Sequence, residues 1–325
     1  MSKVSINLVT WNGQRYVEDC LRSIFNQSFK DYSIIIIDNG SSDDTVAIIR
    51  ERYPHLKIIQ HKENVGFAKA HNQAIHWTKS DYVLLLNQDV VLGPNYLKNI
   101  VEVMDRTPLI GAAAGKILRL QDDEQTNYID TVGLKIYKNY RVVDLGAGEM
   151  DEGQYDAIEE VFGVSGAIPV FRRKALEETA YQKEYLDETF FSYKEDVDLA
   201  HRLRTAGWQA WRVSNAIAYH DRTVSSPLEK MSPVKVAKNR YAQSSFAKFY
   251  SYRNHLYFLK KNLVKMTFRV FWYELVKFLY VLFFETKNLR ALSDYRRDKK
   301  VLVAKRKLIQ KNRKIEEDDL LKWLN

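Results

Sequence analysis

What most constrains this chain is a pattern repeated through residues 4–89: a short apolar run, a polar cluster at its end, then a stretch with helical spacing. Val4–Thr10 ends in Trp11-Asn12-Gly13, Ser33–Ile37 runs into Asp38-Asn39-Gly40-Ser41-Ser42-Asp43, and Tyr82–Leu86 stops at Asn87-Gln88-Asp89. Continuous apolar runs of this length suit strands covered on both faces. Between them, Tyr16, Val17, Cys20, Leu21, Ile24 and Phe25 mark one buried helix face. Thr45–Arg52 and Phe67–Trp77 read as further helices around a short strand at Lys57–Gln60. Such alternation predicts an α/β fold, a mostly parallel sheet flanked by helices. Ligands of open α/β sheets bind beyond the carboxyl ends of the strands, so the polar clusters should converge on one crevice.

Asn95–Met104 predicts another helix, and residues 121–160, polar and Gly-containing, read as a long excursion with hairpin elements. Order returns at Val161–Phe171. Glu195–Ala206 then has helical spacing with Gly207 as its stop, and Trp208–Tyr219 reads as a strand leading to His220. From about residue 229 the composition changes. Residues 229–325 carry 24 Lys+Arg against 9 Asp+Glu, net +15, and 17 of the 41 aromatic residues; residues 1–228 are net −6. We therefore divide the chain into 1–228 and 229–325, which meet different partners.

Leu263–Phe284 is strongly apolar, yet Lys265, Arg269, Glu274 and Lys277 interrupt it. That suits a helix lying in a membrane interface, with cations at the headgroups, better than one crossing it. A core-packed helix with snorkelling lysines is the alternative. Residues 296–325 read as a charged terminal helix. A lone cysteine, Cys20, and no leader-like start predict the cytoplasm, with the tail peripheral on an anionic membrane.

The residues that carry chemistry are Asp38, Asn87-Gln88-Asp89, Glu195-Asp196 and His220. Singly, each is more often a cap, a turn residue or a satisfied histidine. Together at the ends of strands and helices they suit a sugar nucleotide, whose two phosphates call for a divalent cation. Magnesium and manganese prefer carboxylate oxygen, manganese also accepts imidazole, and Asp89 with His220 could supply both. No G-x-G-x-x-G follows the first strand and no G-x-x-x-x-G-K-[ST] occurs, which argues against dinucleotide-dependent oxidation and P-loop chemistry. The acidic 1–228 part argues against a nucleic-acid partner.

The segments SINLVTWNG (5–13), IIIIDNGSSDDT (34–45), NVGFAKAHNQAI (64–75), YVLLLNQDV (82–90), GVSGAIPVFRRKAL (163–176) and ETFFSYKEDVDLAHRLRTAGW (188–208) resemble family-2 glycosyltransferases of the GT-A type over about residues 1–228. The run Phe190–Trp208, with Tyr219-His220 and Ser225, resembles the rhamnosyltransferases of bacterial cell-envelope polysaccharide assembly. The resemblance implies a donor site of Thr10, Trp11, Asn12, Asp38, Asn64, Gly66, Asn72, Asn87 and Gln88, with Asp38 accepting the imide hydrogen of uracil or thymine. It implies Asp89 and His220 as ligands of Mg²⁺ or Mn²⁺, Asp196 as catalytic base, Glu195 as the residue that positions the acceptor, and Ser165-Gly166 on the acceptor side. Asn87-Gln88-Asp89 departs from the family's double-aspartate triplet, and an amide there adds no charge for the metal. The implied reaction is inverting transfer from dTDP-L-rhamnose or a UDP-sugar to a lipid-linked or nascent cell-surface glycan. A catalytically silent sugar-nucleotide binder is the remaining alternative.

Overall fold

In a computed structural model, which describes residues 1–121, 124–221 and 243–324, the predicted alternation is present. Strands β1 (Val4–Thr10), β2 (Tyr32–Asp38), β3 (Lys57–Gln60) and β4 (Tyr82–Asn87) enclose helices α1 (Val17–Phe25), α2 (Thr45–Arg52) and α3 (Phe67–Trp77). A short β5 (Val90–Leu92) and helix α4 (Tyr96–Arg106) follow. β1 runs parallel to β2 and β4, and β2 to β3. Val4, Ile6 and Leu8 of β1 bury against Val17, Leu21 and Ile24 of α1, while Val83 and Leu85 of β4 face the opposite core. Both faces are covered, as continuous apolar runs require.

Residues 110–161 hold more order than the excursion expected over 121–160, whose hairpin elements are present. They contain β6 (Ile110–Gln121), β7 (Glu124–Thr131), a hairpin of β8 (Leu134–Ile136) and β9 (Val142–Asp144), and β10 (Glu159–Val161). β6 is central, but its Gly111-Ala112-Ala113-Ala114-Gly115 stretch lacks the β-branched residues that announce a strand. Smallness is its purpose here, because a Cβ at Gly115 would lie 1.7 Å from the carbonyl oxygen of Ala216.

β11 (Val170–Arg172) leads into α5 (Arg173–Thr179), and α6 (Glu195–Thr205) precedes β12 (Gln209–His220). Gly207 ends α6 at φ +83°, the left-handed position that favours glycine. The main sheet has the order β10-β12-β6-β11-β4-β1-β2-β3. It is mostly parallel, β12 running with β6, while β11 lies antiparallel between β4 and β6 and joins the two halves.

The remaining α-helices among the described residues are α7 (Ser245–Asn262), α8 (Phe268–Phe284), α9 (Arg290–Lys311) and α10 (Glu317–Leu321). The charged terminal helix expected over 296–325 is two helices, α9 beginning at Arg290 and ending at Lys311 and the short α10 after it, and a break at 263–267 divides the apolar stretch from α7. α7 and α9 are built into the rest of the protein. Lys261 of α7 pairs with Asp187 and, at 2.7 Å, with Asp198, all three fully buried. Lys305 of α9 reaches Asp187 at 2.5 Å and Glu184 at 2.7 Å. Tyr257, Phe258 and Leu302 share a core with Phe162, Phe190 and Val197. α8 differs, since only Val270 and Val281 of its residues are buried. No helix among the described residues is long and apolar enough to cross a membrane. Ser225 and the 228/229 boundary lie outside the described residues.

Candidate active site

The carboxyl ends of β1, β2 and β4 meet in one rim. Thr10 donates to Asp38 at 3.1 Å, and Ser41 donates to the same carboxylate through its hydroxyl at 2.5 Å and its backbone N–H at 3.1 Å. Asp38 is fully buried, so this carboxylate fixes the loop that follows β2. Asn12 accepts from the Ser42 N–H at 2.8 Å, holding the two loops together. Gln88 spends its amide on Trp11, accepting from its N–H and donating to its carbonyl, each at 2.9 Å. Trp11 itself stays half exposed at the rim. Asn64 accepts from Asn39 and from the Gly66 N–H, both at 2.9 Å. Asn72 sits deeper, donating to the Leu186 carbonyl at 2.8 Å and to Glu188 at 3.0 Å. Gln88 and Asn72 therefore shape the rim by holding backbone.

Asp89 follows β4, and His220 ends β12. Their Oδ1 and Nε2 lie 3.4 Å apart, and His220 Nδ1 lies 2.9 Å from the fully buried Asp130 of β7. Burial opposes charge on His220, but the Asp89 and Asp130 carboxylates outweigh it and raise its pKa to about 10. Asp89 Oδ1 is buried with no hydrogen-bond partner. Among the described residues no three His, Cys, Asp or Glu side chains gather as a metal site. The pair nevertheless fits a hard cation that diphosphate oxygens complete once the His220 Nε2 proton leaves: an orphaned carboxylate oxygen faces an imidazole whose other nitrogen a second carboxylate holds.

Glu195 and Asp196 open α6. Asp196 accepts the Gly166 N–H at 2.9 Å and the Val197 N–H at 2.7 Å, so Gly166 does lie against the expected base. Burial raises the Asp196 pKa in spite of the Gly166 bond, and the Asp144 charge adds to the rise. Burial, followed by the charge of Asp196, pushes Glu195 up to about 8. Burial thus disfavours two negative charges on this pair, and Asp196 is the more accessible of the two. A carboxylate of raised pKa is a stronger proton acceptor.

The approach to this pair is strained. Phe191, Tyr193 and Lys194 have φ of 63°, 69° and 69°, rare for side-chain-bearing residues. Asn254 of α7, fully buried, donates to the carbonyls of Phe190, Ser192 and Tyr193 at 2.9, 2.7 and 2.7 Å. Arg253 donates to Thr189 and Phe190 at 2.8 and 3.0 Å. Gly66 meets the loop from the donor side: a Cβ there would lie 2.6 Å from the Phe191 carbonyl oxygen.

Residues 5–179 match the family profile described as Glycosyl transferase family 2. The chain belongs to glycosyl transferase family 2. This glycosyltransferase is 27% identical over 239 residues to N-acetylglucosaminyl-diphospho-decaprenol L-rhamnosyltransferase of Mycobacterium tuberculosis, a match covering 67% of this chain and 76% of that one. It is 27% identical over 180 residues to poly-beta-1,6-N-acetyl-D-glucosamine synthase of Staphylococcus epidermidis, covering 55% and 41%. Its fold is similar to GalNAc-T7 solved with UDP, GalNAc and Mn²⁺, with a TM-score of 0.58, 12% identity, and 80% and 49% covered. Residues 1–349 of S. aureus TarS with UDP-GlcNAc give a TM-score of 0.51 at 15% identity, covering 81% and 68%. The glycosyltransferase thus has the GT-A fold that its motifs implied.

Sequence reasoning missed Asp130, Asn254 and Arg253 in this glycosyltransferase. Asp130 left a faint trace: an aspartate between Ile129 and Thr131 is an unusual strand residue. Nothing local marks Asn254, which sits 64 residues after the carbonyl of Phe190 that it holds.

Proposed function

We propose that this glycosyltransferase moves L-rhamnose from dTDP-L-rhamnose, with inversion, onto a hydroxyl of a lipid-linked glycan at the inner face of an anionic membrane. The observation that carries the donor is the match to the mycobacterial L-rhamnosyltransferase over 67% of the chain. That relative's name also describes a lipid diphosphate acceptor.

Asp196 takes the acceptor proton as the hydroxyl oxygen attacks the anomeric carbon. The bond to the diphosphate breaks in the same displacement, which inverts that carbon. Glu195 orients the acceptor, and Ser165-Gly166 borders the pocket. Asp89 and His220 would hold Mg²⁺ or Mn²⁺, which when bound neutralises charge on the departing nucleoside diphosphate. Asn12, Asn64, Gly66 and Asn87 border the nucleotide with Trp11. Asp38 would accept the imide hydrogen at Oδ2, beside the bond from the Ser41 N–H. The exposed aromatic residues of α8, Phe268, Phe271, Trp272, Phe283 and Phe284, support an interfacial seat in the membrane, with Lys265, Arg269 and Lys287 at its headgroups.

A UDP-sugar donor is the second reading, favoured by the UDP and UDP-GlcNAc bound in the solved neighbours. Nucleotide release from dTDP-L-rhamnose, UDP-glucose, UDP-galactose and UDP-N-acetylglucosamine, each with Mn²⁺ or Mg²⁺, separates the two. Preference for any UDP-sugar overturns the rhamnosyl assignment, and no turnover of any donor favours a silent binder. Liposome flotation of the full chain against Phe268→Ser/Trp272→Ser/Phe283→Ser tests the membrane seat, and equal flotation of both sinks it.

A further inference from the structure

A cleft of about 380 Å³ lies apart from the donor rim, lined by Tyr137, Lys138, Asn139, Arg141 and Arg269. Three cations and no acid line it. Its walls come from the turn joining β8 to β9 and from the first turn of α8, which are fixed to one another. The Val264 N–H donates to the Tyr140 hydroxyl at 3.2 Å, and Tyr140 and Val270 share one core with Phe258. The turn is closed by the Tyr137 N–H on the Arg141 carbonyl at 2.9 Å and the Tyr140 N–H on the Tyr137 carbonyl at 2.7 Å. The backbone that carries the three cations is therefore held in place.

Two neighbours indicate what such a cleft serves. Beside Arg269, α8 presents Phe268, Phe271 and Trp272 to the outside, Phe268 at 74% exposure. On the other side, the β8–β9 hairpin is tied by the Leu134 N–H to the Gly163 carbonyl at 2.8 Å, three residues before the Gly166 N–H that Asp196 accepts. The cations thus lie between an apolar surface and the catalytic base. Clustered cations repel one another until an anion joins them, and arginine's planar fork matches phosphate oxygens.

We propose that this cleft binds the diphosphate joining an acceptor glycan to its lipid, with the lipid along α8 and the sugar toward Asp196. The proposal rests on the lipid-linked acceptor proposed above. An acceptor seated this way has its phosphate, tail and hydroxyl each met by a different part of one surface, which orients it for attack.

The test uses the full chain in one detergent with three probes: farnesyl diphosphate, farnesol and inorganic pyrophosphate. The expected result is that farnesyl diphosphate binds about tenfold or more tightly than either other probe. Lys138→Gln/Arg141→Gln/Arg269→Gln should remove that preference while affinity for the donor nucleotide is kept, which shows the variant folded. Phe268→Ser/Phe271→Ser should bring farnesyl diphosphate down toward pyrophosphate. Equal binding of pyrophosphate and farnesyl diphosphate by the unaltered protein overturns the lipid assignment in favour of a free-phosphate site, and full preference retained by the triple variant overturns the cleft. Transfer to a lipid-linked acceptor with unchanged KM in the triple variant also overturns the cleft and leaves the acceptor reading standing. Failure of every lipid-linked glycan to accept sugar from any donor removes both.

Discussion

Replacing Asn254 by leucine, which keeps the branched shape without the polar atoms but is larger, probes how α7 supports the proposed base on another helix. The side chain has two N–H hydrogens for three carbonyls, and its Oδ1 accepts from Arg253 Nε at 3.0 Å, so leucine removes three net hydrogen bonds, at about 1 kcal/mol each. It also leaves buried carbonyls unpaired, at about 1–3 kcal/mol. Against this, the left-handed conformations of Phe191, Tyr193 and Lys194 store about 1–2 kcal/mol apiece. Arg253 alone, with two bonds to the loop, cannot hold that strain. The loop should therefore relax and displace Asp196. We expect a stability loss of about 2–4 kcal/mol and a fall in kcat of about 10²-fold, the scale of a small misplacement of a reacting group. Affinity for the donor nucleotide should hold, because the rim of β1, β2 and β4 does not depend on Asn254. Thermal melts, calorimetric titration of the nucleotide and turnover at saturating donor measure the three quantities. An unchanged kcat beside a lowered Tm would show that Asn254 only packs, and an equal loss of donor affinity would show that the loop holds the donor.

Asp196→Asn should keep the fold and donor binding but lose transfer by about 10²–10⁴-fold, the range of a positioned base, and Glu195→Gln should lose less; the reverse order moves the base to Glu195. Asp130→Ala should weaken Mn²⁺ binding about 10–100-fold in a calorimetric titration by freeing the His220 ring, and unchanged affinity would remove Asp130 from the metal's support. Lys261→Met leaves Asp187 and Asp198 short of a cation and should cost about 3–5 kcal/mol, read as a lowered Tm. Burial alone would raise the Asp187 pKa, but Lys261 and Lys305 hold it below the ordinary carboxylate value of 3.8. Its contribution to stability is thus fully present above that value and is lost as pH falls below it. Melts from about pH 5 down to about pH 2 should show the loss in the unaltered protein and less of it in Asp187→Asn.

The sequence by itself determined the elements whose burial is periodic. β1 to β4, α1 to α3, α6 and β12 lie within a residue or two of where their apolar spacing puts them, since a buried face repeats locally along the chain. The strand ends that carry Asp38, Asp89 and His220, and the α6 start that carries Asp196, were legible for the same reason. β6 was not, because its Ala and Gly residues answer the close approach of Ala216, a demand made by a distant strand. Only the tertiary structure decided that Asn72 and Gln88 hold backbone, that Asp130 orients His220, and that Asn254 reaches back to the loop before Asp196. It also decided that the basic tail is two things, α7 and α9 packed through Lys261 and Lys305, and α8 left largely exposed. Periodicity records that a side chain is buried or polar. Which polar partner it finds is settled by chain segments meeting from far apart, where an unpaired buried group is costly enough that each donor and acceptor must find another.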